Sequence, residues 1–189
     1  KLFSNPIIQH EIVTYVEGFK NLTLKFLSSR GIPKGWVTKM WNRAFVQACT
    51  DGCTYFFQCG DDISFETKGW VHDSVEQLKA NNNIGLTGPI DNGRFVNDDP
   101  IFKPGGDRFV HTQAFVSIRH MEIFGTFFPE HIKNWFCDDW ITRVYYPDHF
   151  YTINHYLKNI GGDPRYDVET NCPWEQLIVL AREHLKKFL

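Results

Sequence analysis

The run Thr54-Tyr55-Phe56-Phe57-Gln58-Cys59 stops abruptly at Gly60-Asp61-Asp62, and no other part of the chain constrains the fold as much. A short, aromatic-rich apolar run bounded by turn residues is the pattern of a buried central strand. Upstream, Val37, Met40, Trp41, Ala44, Phe45 and Ala48 recur at helical spacing. Thr50-Asp51-Gly52 stops that helix, with Gly52 suited to a left-handed cap. Downstream, a helix is predicted over Lys68–Ala80, with Val71, Val75 and Leu78 inward, and Ile84–Thr87 reads as a second buried strand closed by Gly88-Pro89. Phe109–Ser117 and Tyr151–Leu157 are strand-like, and Arg119–Phe124 is a short helix ending at Gly125. Asp138-Asp139-Trp140 opens a helix through Tyr145, its acids suited to the positive end of the helix dipole. A last helix starts at Pro173, with Trp174, Leu177, Ile178, Ala181, Leu185 and Phe188 on one face. Ile7–Leu27, with its β-branched and aromatic residues, reads as one or two strands with a turn. Helices and strands in alternation predict an α/β domain with a mostly parallel central sheet and helices on both faces.

At 189 residues the chain fits a single domain, 1–189. Acidic and basic residues nearly cancel, 22 against 20, which points away from nucleic acid as the main partner. No apolar stretch is long enough to span a bilayer and no signal peptide is visible. Five cysteines without zinc-finger spacing read as free thiols, and these favour a cytoplasmic, reducing address.

Three places carry candidate chemistry. Asp61-Asp62 follows a buried strand, where open α/β sheets bind ligands, and its oxygens suit Mg²⁺ or Mn²⁺. The plainer reading is an Asp-rich turn. Asp138-Asp139 lies among aromatics, in Asn134-Trp135-Phe136-Cys137-Asp138-Asp139-Trp140. A carboxylate in an aromatic wall can serve as a general base, whereas the plainer reading has one Asp capping the helix. His155, after a strand, could add a nitrogen ligand to a metal held by carboxylates, although most histidines are simply core or surface residues.

Taken together these segments resemble a known family. Gly35–Ala44, through Thr54–Cys59 to Gly60-Asp61-Asp62, is similar to the helix–strand–DxD passage of family 2-like GT-A glycosyltransferases. The further match is Ala114–Ser117, Arg119–Phe124, Gly125, Asp138-Asp139-Trp140 and Arg143, and order and spacing agree over about two thirds of the chain. The resemblance implies a GT-A fold and a metal-dependent, hexosyltransferase-like enzyme. Such an enzyme moves a sugar from a nucleotide-sugar, a UDP-sugar by expectation, to a hydroxyl of a glycan, protein or small-molecule acceptor, with inversion. It places Mn²⁺ or Mg²⁺ on Asp62 with His155. Lys39, Asn42, Gly60 and Asp61 fall on the donor, and Trp135 and Trp140 on the acceptor. Asp139 is the expected base, with Asp138 beside it.

The chain departs from the family in two ways. Gly60 stands where DxD has its first Asp. The opening strand and loop that grip the nucleotide base are matched only by a divergent Ile12–Gly18, or else lie upstream of Lys1. Two other functions stay open: a phosphoryl-transfer enzyme using clustered carboxylates, and a degenerate GT-A domain that binds sugar or a partner without catalysis. The Asn-, Asp-, Gly- and Pro-rich stretch Asp91–Asp107 reads as a loop, either a plain one or one that orders over bound ligand.

Overall fold

The structure, a computed structural model, describes residues 5–94, 109–162 and 166–189. The chain divides into two units, Lys1–Arg30 and Gly31–Leu189. The stretch Asp91–Asp107 falls largely outside the described residues.

The first unit corrects the expected strands. It holds a helix, α1, over Pro6–Glu17, and its remaining described residues form no strand. Asn5 is the N-cap, its side chain accepting from the Ile7 N–H at 3.0 Å, and Pro6 occupies the first turn. These start signals outweigh the modest helix penalty of the β-branched residues that follow.

The second unit is mixed α/β. Its elements are α2 (Val37–Thr50), β1 (Tyr55–Phe57), β2 (Ile63–Phe65), α3 (Trp70–Lys79), β3 (Ile90–Asp91), β4 (Phe115–Ser117), α4 (Arg119–Phe124), α5 (Cys137–Tyr145), β5 (Tyr156–Asn159) and α6 (Trp174–Leu185). Phe45 on α2, Phe56 on β1, Val116 on β4, Ile141 on α5 and Ile178 on α6 share one hydrophobic core. The stripe predicted for α6 packs into that core along its length, and on α2 Trp41, Phe45 and Ala48 do so while Met40 faces outward. α2 ends as predicted, with the Gly52 and Cys53 N–H groups donating to Cys49 O and Ala48 O. At the C-terminal end of α5 the Arg182 guanidinium donates to Arg143 O and Tyr146 O, tying α6 to carbonyls left over by the helix.

The strand directions correct the expectation of a mostly parallel central sheet. β1 pairs antiparallel with β4, β2 pairs antiparallel with β5, and β3 pairs parallel with β5. A continuous apolar run reports burial on both faces and says nothing about direction, so the Thr54–Cys59 pattern could not distinguish the two. Ile84–Thr87 is interior but contributes only two single bridges, Leu86 to Phe150 and Thr87 to Phe115. Gly85 (φ +144°) lets the chain pass close to its neighbour, because a Cβ there would meet the Tyr151 ring and lie 2.6 Å from His149 O. No helix among the described residues is long and apolar enough to cross a membrane.

Candidate functional site

β1 delivers Asp61 and Asp62 beyond its carboxyl end, and the chain turns at once into β2. The Asp62 carbonyl accepts from the Ile160 N–H at 2.8 Å, closing the β2–β5 ladder at its β5 exit. The Asp62 carboxylate lies where two glycines leave room for it. A Cβ at Gly161 would stand 2.7 Å from the Asp62 Cγ and 2.9 Å from its Cβ, and a Cβ at Gly60 would strike its Oδ1. Gly60 therefore accommodates this position of the neighbouring carboxylate, and a side chain in its place would make the Asp62 carboxylate rotate away.

The second acidic pair stands in the first turn of α5. The helix begins one residue earlier than predicted, at Cys137, after Phe136 in the left-handed region (φ +67°). That conformation costs a non-glycine residue on the order of 1 kcal/mol or more. The Phe136 ring stacks on Trp174, centroids 5.2 Å apart and planes 7° from parallel, which holds the turn. Asp138 and Asp139 are thus in the first turn, and neither is the N-cap. Burial, then the Asp138 charge, raises the Cys137 thiol well above its ordinary range, so it stays protonated and donates to Asp138 Oδ1 at 3.4 Å.

Asn134, 2% exposed, organises this corner. Its Nδ2 donates to Gly35 O and Asp167 O, while its Oδ1 accepts from the Trp135 and Glu169 N–H groups. One amide therefore joins the Gly31–Gly35 loop, the approach to α5 and the segment after β5. Asn134→Ala should lower stability by about 2 kcal/mol in urea unfolding, since four part-buried backbone groups lose their partner at once.

The chain after β5 begins beside the first acidic pair. It leaves β5 at Gly161, against Asp62, and is clamped by Asn134 at Asp167 and Glu169. Tyr166 lies on it, half-buried, its Cβ 3.6 Å from where a Gly35 Cβ would stand. Its phenol is pushed upward in pKa, first by burial and then by the charges of Cys137, Asp138 and Asp62.

Other predicted site residues lie elsewhere or are engaged otherwise. His155 is not brought to Asp62. Its Nδ1 meets Thr67 Oγ1 at 3.0 Å and its Nε2 meets Asp73 Oδ2 at 2.8 Å. It also sits five positions before Ile160 on the strand, about 16 Å along the ladder from Asp62. Asn42 is a packing residue: its amide donates to Phe128 O and accepts from Phe128 N, both at 2.8 Å. Trp140 is 2% exposed and belongs to the core, so it offers no acceptor platform, whereas Trp135 is 46% exposed beside the acidic pair. The α5 stripe turns Trp140 inward with Ile141 and Val144. The Lys39 ammonium lies 4.3 Å from the Trp36 ring centroid. Among the described residues no three His, Cys, Asp or Glu side chains converge to cage a metal.

Asn134, Gly161 and Tyr166 escaped the sequence reading. Asn134 was visible only as part of the aromatic-flanked stretch, Gly161 only as a turn residue, and Tyr166 carried no signal. No family model, curated protein or solved structure matches the chain.

Proposed function

We propose that the chain is a GT-A-type glycosyltransferase domain that moves a sugar from a nucleotide-sugar to an acceptor hydroxyl, with inversion. One observation supports this reading: the Asp62 carboxylate sits between Gly60 and Gly161 just past β1, and a second acidic pair stands in the first turn of α5. The order of elements around them is that of the glycosyltransferase resemblance.

Asp62 suits a hard divalent cation, Mn²⁺ or Mg²⁺, as one carboxylate seated between Gly60 and Gly161. The remaining positions go to water and diphosphate oxygens, as such ions favour, and His155 takes no part. When bound, the cation neutralises the diphosphate leaving group. Asp61, exposed on the same turn, adds negative charge on the cation side. Asp138, whose carboxylate the Cys137 thiol orients, is the first candidate to accept the acceptor's hydroxyl proton, and Asp139, where the resemblance puts the base, is the second. Trp135 presents an indole face beside them on which a sugar ring can stack. Lys39 remains a donor-side candidate through its position at the start of α2.

Isothermal titration with a panel of nucleotide-sugars, with and without Mn²⁺, tests the reading. Mn²⁺-dependent binding followed by sugar transfer or slow hydrolysis is expected. Binding without turnover would favour a degenerate domain, and no binding would remove the reading. Within the same assay Gly161→Ala should weaken Mn²⁺-dependent donor binding as Asp62→Ala does, because the new methyl occupies the carboxylate's place. Both changes should cost about 1 kcal/mol or less in stability, as the turn is outside the core.

A further inference from the structure

We propose that Gln113 is a positioning residue of the Asp61-Asp62 turn, its buried side-chain amide taking the Gly60 N–H and so fixing the Asp62 carboxylate for a divalent cation. The cation rests on the transferase reading, whereas the placing of Gln113 rests on hydrogen bonds.

β1 and β4 part where this turn begins. Their register, Tyr55 opposite Ser117 through Phe57 opposite Phe115, continues to the Gln58 N–H, which donates to Ala114 O at 2.9 Å. The next bond of an antiparallel ladder in this register would join the Gly60 N–H to Thr112 O. The Gly60 N–H goes instead to Gln113 Oε1, at 3.2 Å. The Ala114 N–H meets Gln58 Oε1 at 3.4 Å, so one glutamine beside each strand stands in for the ladder where it opens.

Gln113 is 5% exposed, and its Nε2 donates to Thr112 Oγ1 at 3.4 Å. That leaves Oε1, the accepting end of the amide, facing Gly60. The turn is thereby held at both ends, since on its far side the Asp62 carbonyl accepts from the Ile160 N–H at 2.8 Å. Between these anchors the Asp62 carboxylate lies over Gly60, where a Cβ would strike its Oδ1. A shift of Gly60 is therefore a shift of the wall behind that oxygen. Outer partners of this kind orient the ligands of a cation, and their loss costs about tenfold to a hundredfold in metal affinity.

The test compares wild type with Gln113→Met, which keeps the length of the side chain without the amide, and with Gln113→Glu, which keeps an acceptor. It reads amide hydrogen exchange by NMR on the metal-free chain, then line broadening by added Mn²⁺ alone. In Gln113→Met the Gly60 amide should exchange about tenfold faster, with the Phe56 and Val116 amides unchanged. Gln113→Glu should keep the Gly60 amide slow. Mn²⁺ should broaden the Gly60 and Gly161 resonances of wild type, and Gln113→Met should need about tenfold more Mn²⁺ for the same effect. Unchanged Gly60 exchange, or a rise shared equally by Phe56 and Val116, would overturn the proposal and leave Gln113 a packing residue. A wild-type Gly60 amide that exchanges at the unprotected rate would overturn it without any variant. Faster Gly60 exchange with an unchanged Mn²⁺ requirement would overturn the link to Asp62. Wild-type resonances that Mn²⁺ leaves sharp would remove the cation from the transferase reading, and the Gly60 amide would then decide whether Gln113 holds the turn.

Discussion

Acidifying the protein from pH 7 to pH 4.5 should cost the folded state about 5 kcal/mol, read as a fall in unfolding free energy from urea titrations at each pH. The cause is a pair of fully buried imidazoles. Burial lowers the pKa of both His111 and His120 from an ordinary 6.5 to about 4. Between those values the unfolded chain binds a proton at each ring and the folded chain binds none. Stability is therefore fully present above pH 6.5 and is lost as pH falls toward the folded value, at up to about 2.7 kcal/mol per pH unit for two protons. His120 cannot accept a proton cheaply. Its Nε2 donates to Phe127 O at 3.0 Å, so its Nδ1 must be the acceptor of the Tyr145 hydroxyl at 2.8 Å. Burial keeps that Tyr145 phenol protonated, and Phe45, Phe124 and Trp140 ring the imidazole without a carboxylate among them. His111 is packed by Phe109 and Phe150, and among the described residues its Nε2 has no hydrogen-bond partner. His120→Gln keeps a donor and an acceptor in place and should halve the slope, whatever it does to stability at pH 7. A free energy that stays flat from pH 7 to pH 5 would show that neither imidazole is held neutral by the fold.

Much of this arrangement was legible where one apolar stripe had one period. α4 was read over its full span, while α5 and α6 each start one residue from the predicted position. Long stripes such as Trp174, Ile178, Ala181 and Leu185 admit one helical solution, and terminal glycines mark their ends. α1 was misread because β-branched residues count toward strands, although Asn5-Pro6 announced a helix start. Sheet direction was not legible, since an apolar run records burial and leaves pairing to contacts far along the chain. At the site, residue type was legible and partnership was not. The amide of Asn42 and the imidazole of His155 are good ligands in any sequence. Phe128 and Asp73 engage them here, and neither partner is a neighbour in sequence. Asn134 is the reverse case: nothing around it in sequence announces its partners, and only the fold brings Gly35, Asp167 and Glu169 to its amide.

Asp138→Asn should lower sugar transfer by about a hundredfold or more while sparing the fold and Mn²⁺-dependent donor binding, the signature of a lost general base. The geometry ranks the two acids of α5. Asp138 accepts the Cys137 thiol, a weak donor that orients it. Asp139 is the family's usual place for the base, and its variant is the control. The competing account gives both acids only a structural duty. They stand in the first turn of α5, where the exposed N–H groups favour negative charge, and Phe136 has no side-chain bond to cap them. On that account each Asn variant costs about 1 kcal/mol or less in stability and leaves turnover alone. The two accounts separate in one set of measurements: unfolding midpoints, donor titrations and initial rates for Asp138→Asn, Asp139→Asn and the double variant. Loss in Asp139→Asn alone would move the base to Asp139, with Asp138 left as a first-turn acid of α5. Full rates in both single variants would end the assignment of a base to α5. A product that keeps the donor's anomeric configuration would end the inverting mechanism, since a carboxylate that only removes the acceptor's proton, with attack opposite the leaving diphosphate, must invert that carbon.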